Sequence, residues 1–348
     1  MYKSPLENII KRGNNNFDLV RLIAALLVIW GHSFDLFETP NYIDPVKKIL
    51  VIDSPGTIAV YVFFFLSGVF ITASMDNSTK THFIVMRLVR IWPALIICTF
   101  SVVFIIGSLF TNLTLYEYLE KRSTWTFLIC NSIIYNIKWY LPGVFENNHH
   151  PNVVNGQLWT LPVEVECYTT IFILGLSKIL KNKYAVTIFY ILVFALYISN
   201  SGRILYFEPL KQVVFFYSGT LVYIFRKYIE LDLRIGLAFI FSCFGLYNTI
   251  FFFPIFYITL IYNMLLFGAS RSVLKIKLPG DYSYGIYIYG YVIQQSCAHL
   301  IPHITAYESL IITIPLTLLF AIISWNLVEK PAILLGKKIS KRPIMTSS

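Results

Sequence analysis

Charge is what this sequence has little of. Only 13% of the 348 residues are Asp, Glu, Lys or Arg, about half the share usual in soluble domains. With 57% hydrophobic residues and a mean hydropathy of +0.66, this excludes a water-soluble enzyme, because no soluble core of this size hides so much apolar surface. It equally excludes a disordered chain. Cysteine is scarce: Cys98, Cys130, Cys167, Cys243 and Cys297 stand at no CxxC spacing. That excludes a disulfide scaffold and a thiolate metal site, and all five are expected to be small buried hydrophobes. The common catalytic signatures are missing too, with no Gly-rich phosphate loop, no HExxH and no GxSxG. His149–His150 lies in an Asn-rich stretch and is expected in a solvated turn, so no metal is expected. No small-residue cleavage site follows the first apolar run, which is expected to be retained. No internal repeat, low-complexity segment or attached soluble domain is expected.

What is present is a series of apolar runs, at 17–37, 58–75, 91–110, 158–177, 184–200, 210–225, 235–249, 250–269, 282–301 and 309–328. At about 20 residues per crossing, these predict an all-α integral membrane protein of about ten transmembrane helices. Asn248 and Pro254 mark the expected turn between the seventh and eighth. A further run, 124–145, is broken by Asn131, Asn136, Lys138 and Pro142 and is expected to be re-entrant or interfacial, within a partly apolar outer loop between helices 3 and 4. The net charge of +10 suggests nucleic acid in a soluble protein, but in a membrane protein it reads as topology. With a cytoplasmic N-terminus, the outer segments carry Lys47, Lys48, Lys121, Arg122, Lys138, Arg203 and Lys211, and Arg21 lies inside the first helix. The remaining basic residues of the 28, Arg12 and Arg342 among them, fall on the cytoplasmic side. Both termini are then cytoplasmic. The expected organisation is an N-terminal tail at 1–16, a transmembrane domain at 17–331 and a basic C-terminal tail at 332–348. Basic residues spread over six cytoplasmic segments argue against a nucleic-acid partner.

Ionisable groups inside spans are costly and point to function. The first helix holds Asp18, Arg21, His32 and Asp35. Arg21 and His32 are eleven residues apart, so at about 100° per residue they share a face, separated by about 16 Å along the axis. Asp18 neighbours Arg21 and Asp35 neighbours His32. Arg21 and Asp18 fit interfacial anchors as well as a site, whereas a neutral imidazole is suited to take a proton near neutral pH. Arg87 and Arg90 share a face at the cytoplasmic entry of the third helix. They serve either as positive-inside anchors or as a phosphate clamp, since guanidinium groups bind phosphate bidentately. Glu164 and Glu166, in NGQLWTLPVEVECY, are expected near the outer boundary and point about 200° apart. A carboxylate there could bind acceptor hydroxyls or orient a base, and Trp159 offers a sugar-stacking face. The alternative is an aromatic belt with helix N-terminal acids. Tyr284, Tyr287 and Tyr291 share one helix face, to pack or to line a channel. Glu329 ends the last helix.

Together and in order, these stretches resemble the membrane-bound acyltransferase-3 family, most closely its bacterial sugar O-acetyltransferases of O-antigens and exopolysaccharides. Arg21 and His32 look like its opening arginine, ten residues, then histidine motif. SPGTIAVYVFFFLSGVFIT is similar to its second helix, and MRLVRIWP to its RxxR motif at Arg87 and Arg90. LWTLPVEVECY resembles its Trp–Leu–Glu–Tyr signature, with Glu164 at the glutamate and Tyr168 at the tyrosine. DYSYGIYIYGYVIQQ and NLVEKP are also similar, so the likeness runs from about 17 to 331. One departure is Gly290, where many members carry histidine, so that histidine's role does not carry over. The resemblance implies transfer of an acetyl group from cytoplasmic acetyl-CoA to a sugar hydroxyl outside, in the bacterial cytoplasmic (inner) membrane. The acceptor would be a polysaccharide or a lipid-linked precursor. In that scheme Arg21, Arg87 and Arg90 grip the CoA phosphates, His32 is the base or acyl carrier, Asp35 orients it, and Glu164 positions the sugar. Trp159, Tyr168 and Tyr284 are the expected acceptor contacts. The competing classes are a transporter or flippase and a polymerase of a polysaccharide precursor.

Overall fold

Each of the ten apolar runs folds as a helix in the computed structural model, which describes residues 3–11, 13–37, 44–50, 53–200 and 209–341. Arg12, Arg203 and Arg342 of the topology argument, and the end of the basic tail from 342, lie outside the described residues. In chain order the main helices are α1 (Phe17–Leu36), α2 (Pro55–Asn77), α3 (Lys80–Ser101), α4 (Arg122–Ser132), α5 (Thr160–Leu176), α6 (Lys183–Asn200) and α7 (Pro209–Ile224). They continue with α8 (Leu233–Gly245), α9 (Phe252–Gly268), α10 (Ser283–Leu300), α11 (Ala306–Ser324) and α12 (Lys330–Lys341). A tiny antiparallel ladder, β1 (Lys3–Pro5) with β2 (Glu230–Asp232), is the sheet among the described residues.

Local signals set several of the ends. Ser54 accepts from the Thr57 N–H, with Pro55 in the first turn of α2, a favoured N-terminal arrangement. Thr79 does the same for α3. Thr305 and Glu308 close a reciprocal capping box on α11. Among the described residues, four helical stretches are long and apolar enough to cross a membrane: Phe17–Leu36, Pro55–Asn77, Lys80–Phe110 and Ala306–Ser340. The last two exceed one α-helix because π-turns at Val102–Gly107 and Trp325–Glu329 carry the chain on. The turn between α8 and α9 contains Asn248 in the left-handed region (φ 67°), whereas Pro254 sits inside the first turn of α9. Proline is tolerated there because that N–H has no helical partner.

The chain divides into two compact units. The first comprises Met1–Ala24, Ile58–Asp76 and Cys167–Pro279. Within it α2 and α7 cross backbone to backbone. A Cβ on Gly68 would collide with the Phe216 carbonyl, and one on Gly219 with the Phe65 carbonyl, so only glycine permits this approach. Thr72 and Thr220 hydrogen-bond beside the crossing at 3.0 Å. Asp76 receives the Tyr223 hydroxyl at 2.9 Å and lies 3.6 Å from Arg226.

The second unit comprises Ala25–Thr57, Asn77–Glu166 and Gly280–Ser348. Here α10 and α11 pack antiparallel, with Gly285 against Ala321. Of the run 124–145, only α4 is helical, and its 11 residues rise about 16 Å, short of a bilayer core. Asn131, fully buried, closes the following irregular stretch by exchanging two 2.8 Å hydrogen bonds with the Lys138 backbone. Cys98, Cys167 and Cys297 are buried as expected. Cys130 and Cys243 are only half-buried, a correction whose reason for Cys243 is a polar neighbour, Thr259 Oγ1 at 3.1 Å.

Candidate active site

The second unit is organised along one face of α10. Tyr284, Tyr287 and Tyr291 form a ladder on that face, about 10 Å long from first to last. At the first rung, the Tyr284 hydroxyl donates to the Ile91 carbonyl at 2.9 Å, and the Arg90 guanidinium lies 5.8 Å over its ring. The Tyr284 and Tyr287 rings stack at 6.4 Å. At the second rung, the Tyr287 hydroxyl meets the Thr160 hydroxyl at 2.7 Å and donates to the Gln157 carbonyl. At the third, the Tyr291 ring meets the His32 imidazole edge-on, centroids 5.1 Å apart.

A segment without regular periodicity descends along this helix. Asn148 Nδ2 bonds the Gln295 side chain (2.7 Å) and carbonyl (2.9 Å). Gln295 Nε2 in turn donates to the His150 and Val153 carbonyls at 2.8 and 2.7 Å. Lower down, Asn155 Nδ2 donates to the Ile288 carbonyl at 3.0 Å, and Gly156 lies against Tyr291. The chain thus runs from the level of Gln295 to that of Tyr287, about 12 Å along α10. Irregular backbone at this depth is viable because side chains of α10 satisfy it.

This descent sets where the glutamate stands along α10. α5 begins at the level of Tyr287, about 20 Å along α10 from its Leu300 end. Glu164 is half-buried there, Glu166 exposed, and the Glu164 charge acts on the hydroxyls of both Tyr284 and Tyr287. Trp159 is half-buried at the end of the 3-10 turn Gly156–Trp159 that precedes α5.

The cationic end is a charge cluster. Arg90 Nη2 lies 2.6 Å from Asp281 Oδ2, and Nη1 lies 3.6 Å from Glu329 Oε2. Ser283 donates to Asp281 at 2.6 Å and Ser324 to Glu329 at 3.0 Å. Glu329 is 1% exposed, and the π-turn at the end of α11 is what turns it inward. Arg87 is half-buried one turn earlier, its guanidinium 5.9 Å over the Phe83 ring. Tyr284, expected at the acceptor, stands in this cluster with Arg90.

Beyond His32, Asp35 is exposed and makes no hydrogen bond to it among the described residues. His149 and His150 are exposed as expected. Yet Gln295 Nε2 holds the His150 carbonyl at 2.8 Å, a contact no sequence pattern signals. Asp281, Glu329, Gln295 and Asn148 are further members of the constellation that motif reasoning assigned no role. Their partners are more than a hundred residues away in sequence, so no local spacing could reveal them. Arg21 and Tyr168 belong to the first unit. There Arg21 pairs with Asp18 at 3.5 Å and lies 5.2 Å over Phe70, and Tyr168 packs at 6.3 Å on Phe216. Arg21 and His32 stand on one unbroken helix, α1. Among the described residues, no three His, Cys, Asp or Glu gather as metal ligands.

Comparison with known proteins gives a consistent picture. An acyltransferase domain family matches residues 14–328. The O-acetyl transferase of Shigella phage Sf6 is 27% identical over 336 residues, covering 91% of this chain and 95% of that protein. Nodulation protein 10 of Rhizobium leguminosarum bv. viciae is 29% identical over 165 residues, 45% of this chain and 43% of that protein. No solved structure matches.

Proposed function

The chain belongs to the acyltransferase family that matches residues 14–328, and from that premise we propose that this multi-pass membrane enzyme acetylates a sugar hydroxyl of a surface polysaccharide or its lipid-linked precursor. Acetyl-CoA is the donor, approaching from the cytoplasm. The membrane is the bacterial inner membrane, crossed by about ten helices with both termini inside. The observation that carries the reading is the ladder of α10, which joins the Arg90–Asp281–Glu329 charge cluster to an imidazole at His32.

Arg87 contacts the donor phosphates. Arg90, engaged by Asp281 and Glu329, contributes mainly by holding that end in shape. His32 accepts the proton of the sugar hydroxyl while the hydroxyl oxygen bonds to the acetyl carbonyl carbon. The carbon–sulfur bond breaks, and the proton passes from His32 to the departing thiolate. Asp35 favours the protonated imidazole from one turn away. Glu164 and Trp159, beside the lower rungs, hold and stack the acceptor. The Sf6 relative's name, O-acetyl transferase, supports acetyl as the group and an oxygen as its acceptor atom.

The test is NMR and mass spectrometry of surface polysaccharide from cells carrying wild type or His32→Ala. Loss of one acetyl group per repeat at unchanged chain length is expected. Full acetylation with His32→Ala overturns the catalytic role, and altered chain length at normal acetylation points to a polymerase or flippase instead.

A further inference from the structure

Three polar side chains deep in the second unit lack the partners that burial demands. In the antiparallel register of α10 and α11, Gly285 faces Ala321, and a Cβ on Gly290 would lie 3.7 Å from Thr317 Cγ2. The same register brings Gln294 level with Thr313. Gln294, Thr313 and Thr317 are all fully buried. Gln294 Nε2 donates to the Ile29 carbonyl of α1 at 2.8 Å. Its Oε1 has no partner among the described residues, nor do the hydroxyls of Thr313 and Thr317.

These hydroxyls behave unlike other buried helical threonines here. Thr72, Thr99 and Thr259 each turn back to the carbonyl four residues earlier, at 2.7, 2.8 and 2.7 Å, the usual refuge of a buried hydroxyl. Thr313 and Thr317 forgo it. An unpartnered polar group at membrane depth is costly, and native interiors leave few. Three on two packed helices mark a binding surface.

Its chemistry is specific. It offers one carbonyl acceptor and two hydroxyls that donate, and no charge. That suits a slender, neutral ligand with secondary amides, whose N–H meets Gln294 Oε1 and whose C=O meets the threonines. Its place is equally specific. Ile29 is one turn before His32 on α1. Gly290 and Thr317 lie about one turn further toward the Arg90–Asp281–Glu329 cluster, which is about 14–18 Å beyond by residue rise. A Cβ on Gly290 would stand 3.3 Å from Ile29 Cγ1, so α1 and α10 pack closely there.

We propose that Gln294, Thr313 and Thr317 form a polar rail that holds the two amides of the acyl donor's pantetheine arm between the cytoplasmic arginines and His32. The inference rests on the donor reading above. It makes the three positioning residues that set where the thioester stops.

The experiment measures equilibrium binding to the full chain in nanodiscs. One probe is acetyl-CoA; the other is the adenosine bisphosphate half of CoA, which has the phosphates but no arm. Thr313→Val and Thr317→Val preserve shape and remove only the hydroxyl. Each should weaken acetyl-CoA by roughly fivefold, the worth of one neutral hydrogen bond, and leave the bisphosphate unchanged. The thermal midpoint should hold or rise, because an orphan hydroxyl has gone. Gln294→Met should act likewise on acetyl-CoA. Undiminished acetyl-CoA affinity in the Thr313→Val/Thr317→Val double variant overturns the rail, as does equal weakening of both probes. If wild type binds neither probe, the donor reading itself falls, a result distinguishable from failure of the rail alone.

Discussion

Removing the Arg90 guanidinium should unfold this protein more readily than removing any other arginine of its third helix. Arg90 lies 2.6 Å from Asp281 and 3.6 Å from Glu329, with 24% of its side chain exposed. Glu329 is 1% exposed, and its other recorded partner is the Ser324 hydroxyl. Arg90→Ala therefore leaves a buried carboxylate without its cation and a second one close by. Breaking a buried pair from one side costs about 3–5 kcal/mol. The long 3.6 Å contact and the partial exposure put this case near the lower end, about 3 kcal/mol. At about 2–4 °C per kcal/mol for a unit of this size, the thermal midpoint in detergent should fall by about 6–12 °C. Removing the stranded charges as well, in Arg90→Met/Asp281→Asn/Glu329→Gln, should recover most of the loss, since a neutral core of similar shape is no worse than the ion cluster. Arg87→Ala should raise the KM for acetyl-CoA. An Arg90→Ala midpoint equal to wild type would refute the argument, as would a triple variant no more stable than Arg90→Ala.

Three further outcomes follow from the geometry. Gln295→Leu releases the His150 and Val153 carbonyls and the Asn148 amide; limited proteolysis should then cut within 145–157 faster, and acetylation should fall with it. Gly219→Ala drives a methyl group into the Phe65 carbonyl, and since backbone cannot yield as a side chain can, it should cost about 1–3 kcal/mol or more, read as a lower midpoint and a poor folded yield. Glu117 is held below the ordinary glutamate range by hydrogen bonds from the Thr114 hydroxyl and backbone N–H. Its folded pKa is lower than its unfolded one, so the cap stabilises above the unfolded value and is lost as pH falls through the folded value. Thr114→Ala should therefore flatten that acid-side loss in hydrogen exchange of 114–120.

The helices were legible because bilayer depth imposes length and hydrophobicity together. All ten apolar runs coincide with helices, and the shared face of Tyr284, Tyr287 and Tyr291 is real. Boundaries were less so. Charged Lys80, Arg87 and Arg90 hid the first turns of α3, and two π-turns carried helical chain past the end of the apolar signal. The descending stretch from Asn148 to Trp159 was illegible, because polar, aperiodic residues read as solvated loop unless their distant partners on α10 are known.

The scarcity of charge with abundance of apolar residues by itself determined a helical membrane protein, and spacing alone aligned Arg21 with His32. Those are consequences of local physics, the bilayer's length scale and the helix's 3.6-residue turn. Only the tertiary structure decided that α5 starts level with Tyr287, that Arg90 is claimed by Asp281 and Glu329, that Gln295 holds the His150 carbonyl, and that Gln294 Oε1 and the Thr313 and Thr317 hydroxyls have no partner among the described residues. Each depends on which side chains from distant segments meet in a low-dielectric interior, where a polar group must find a partner or leave room for one.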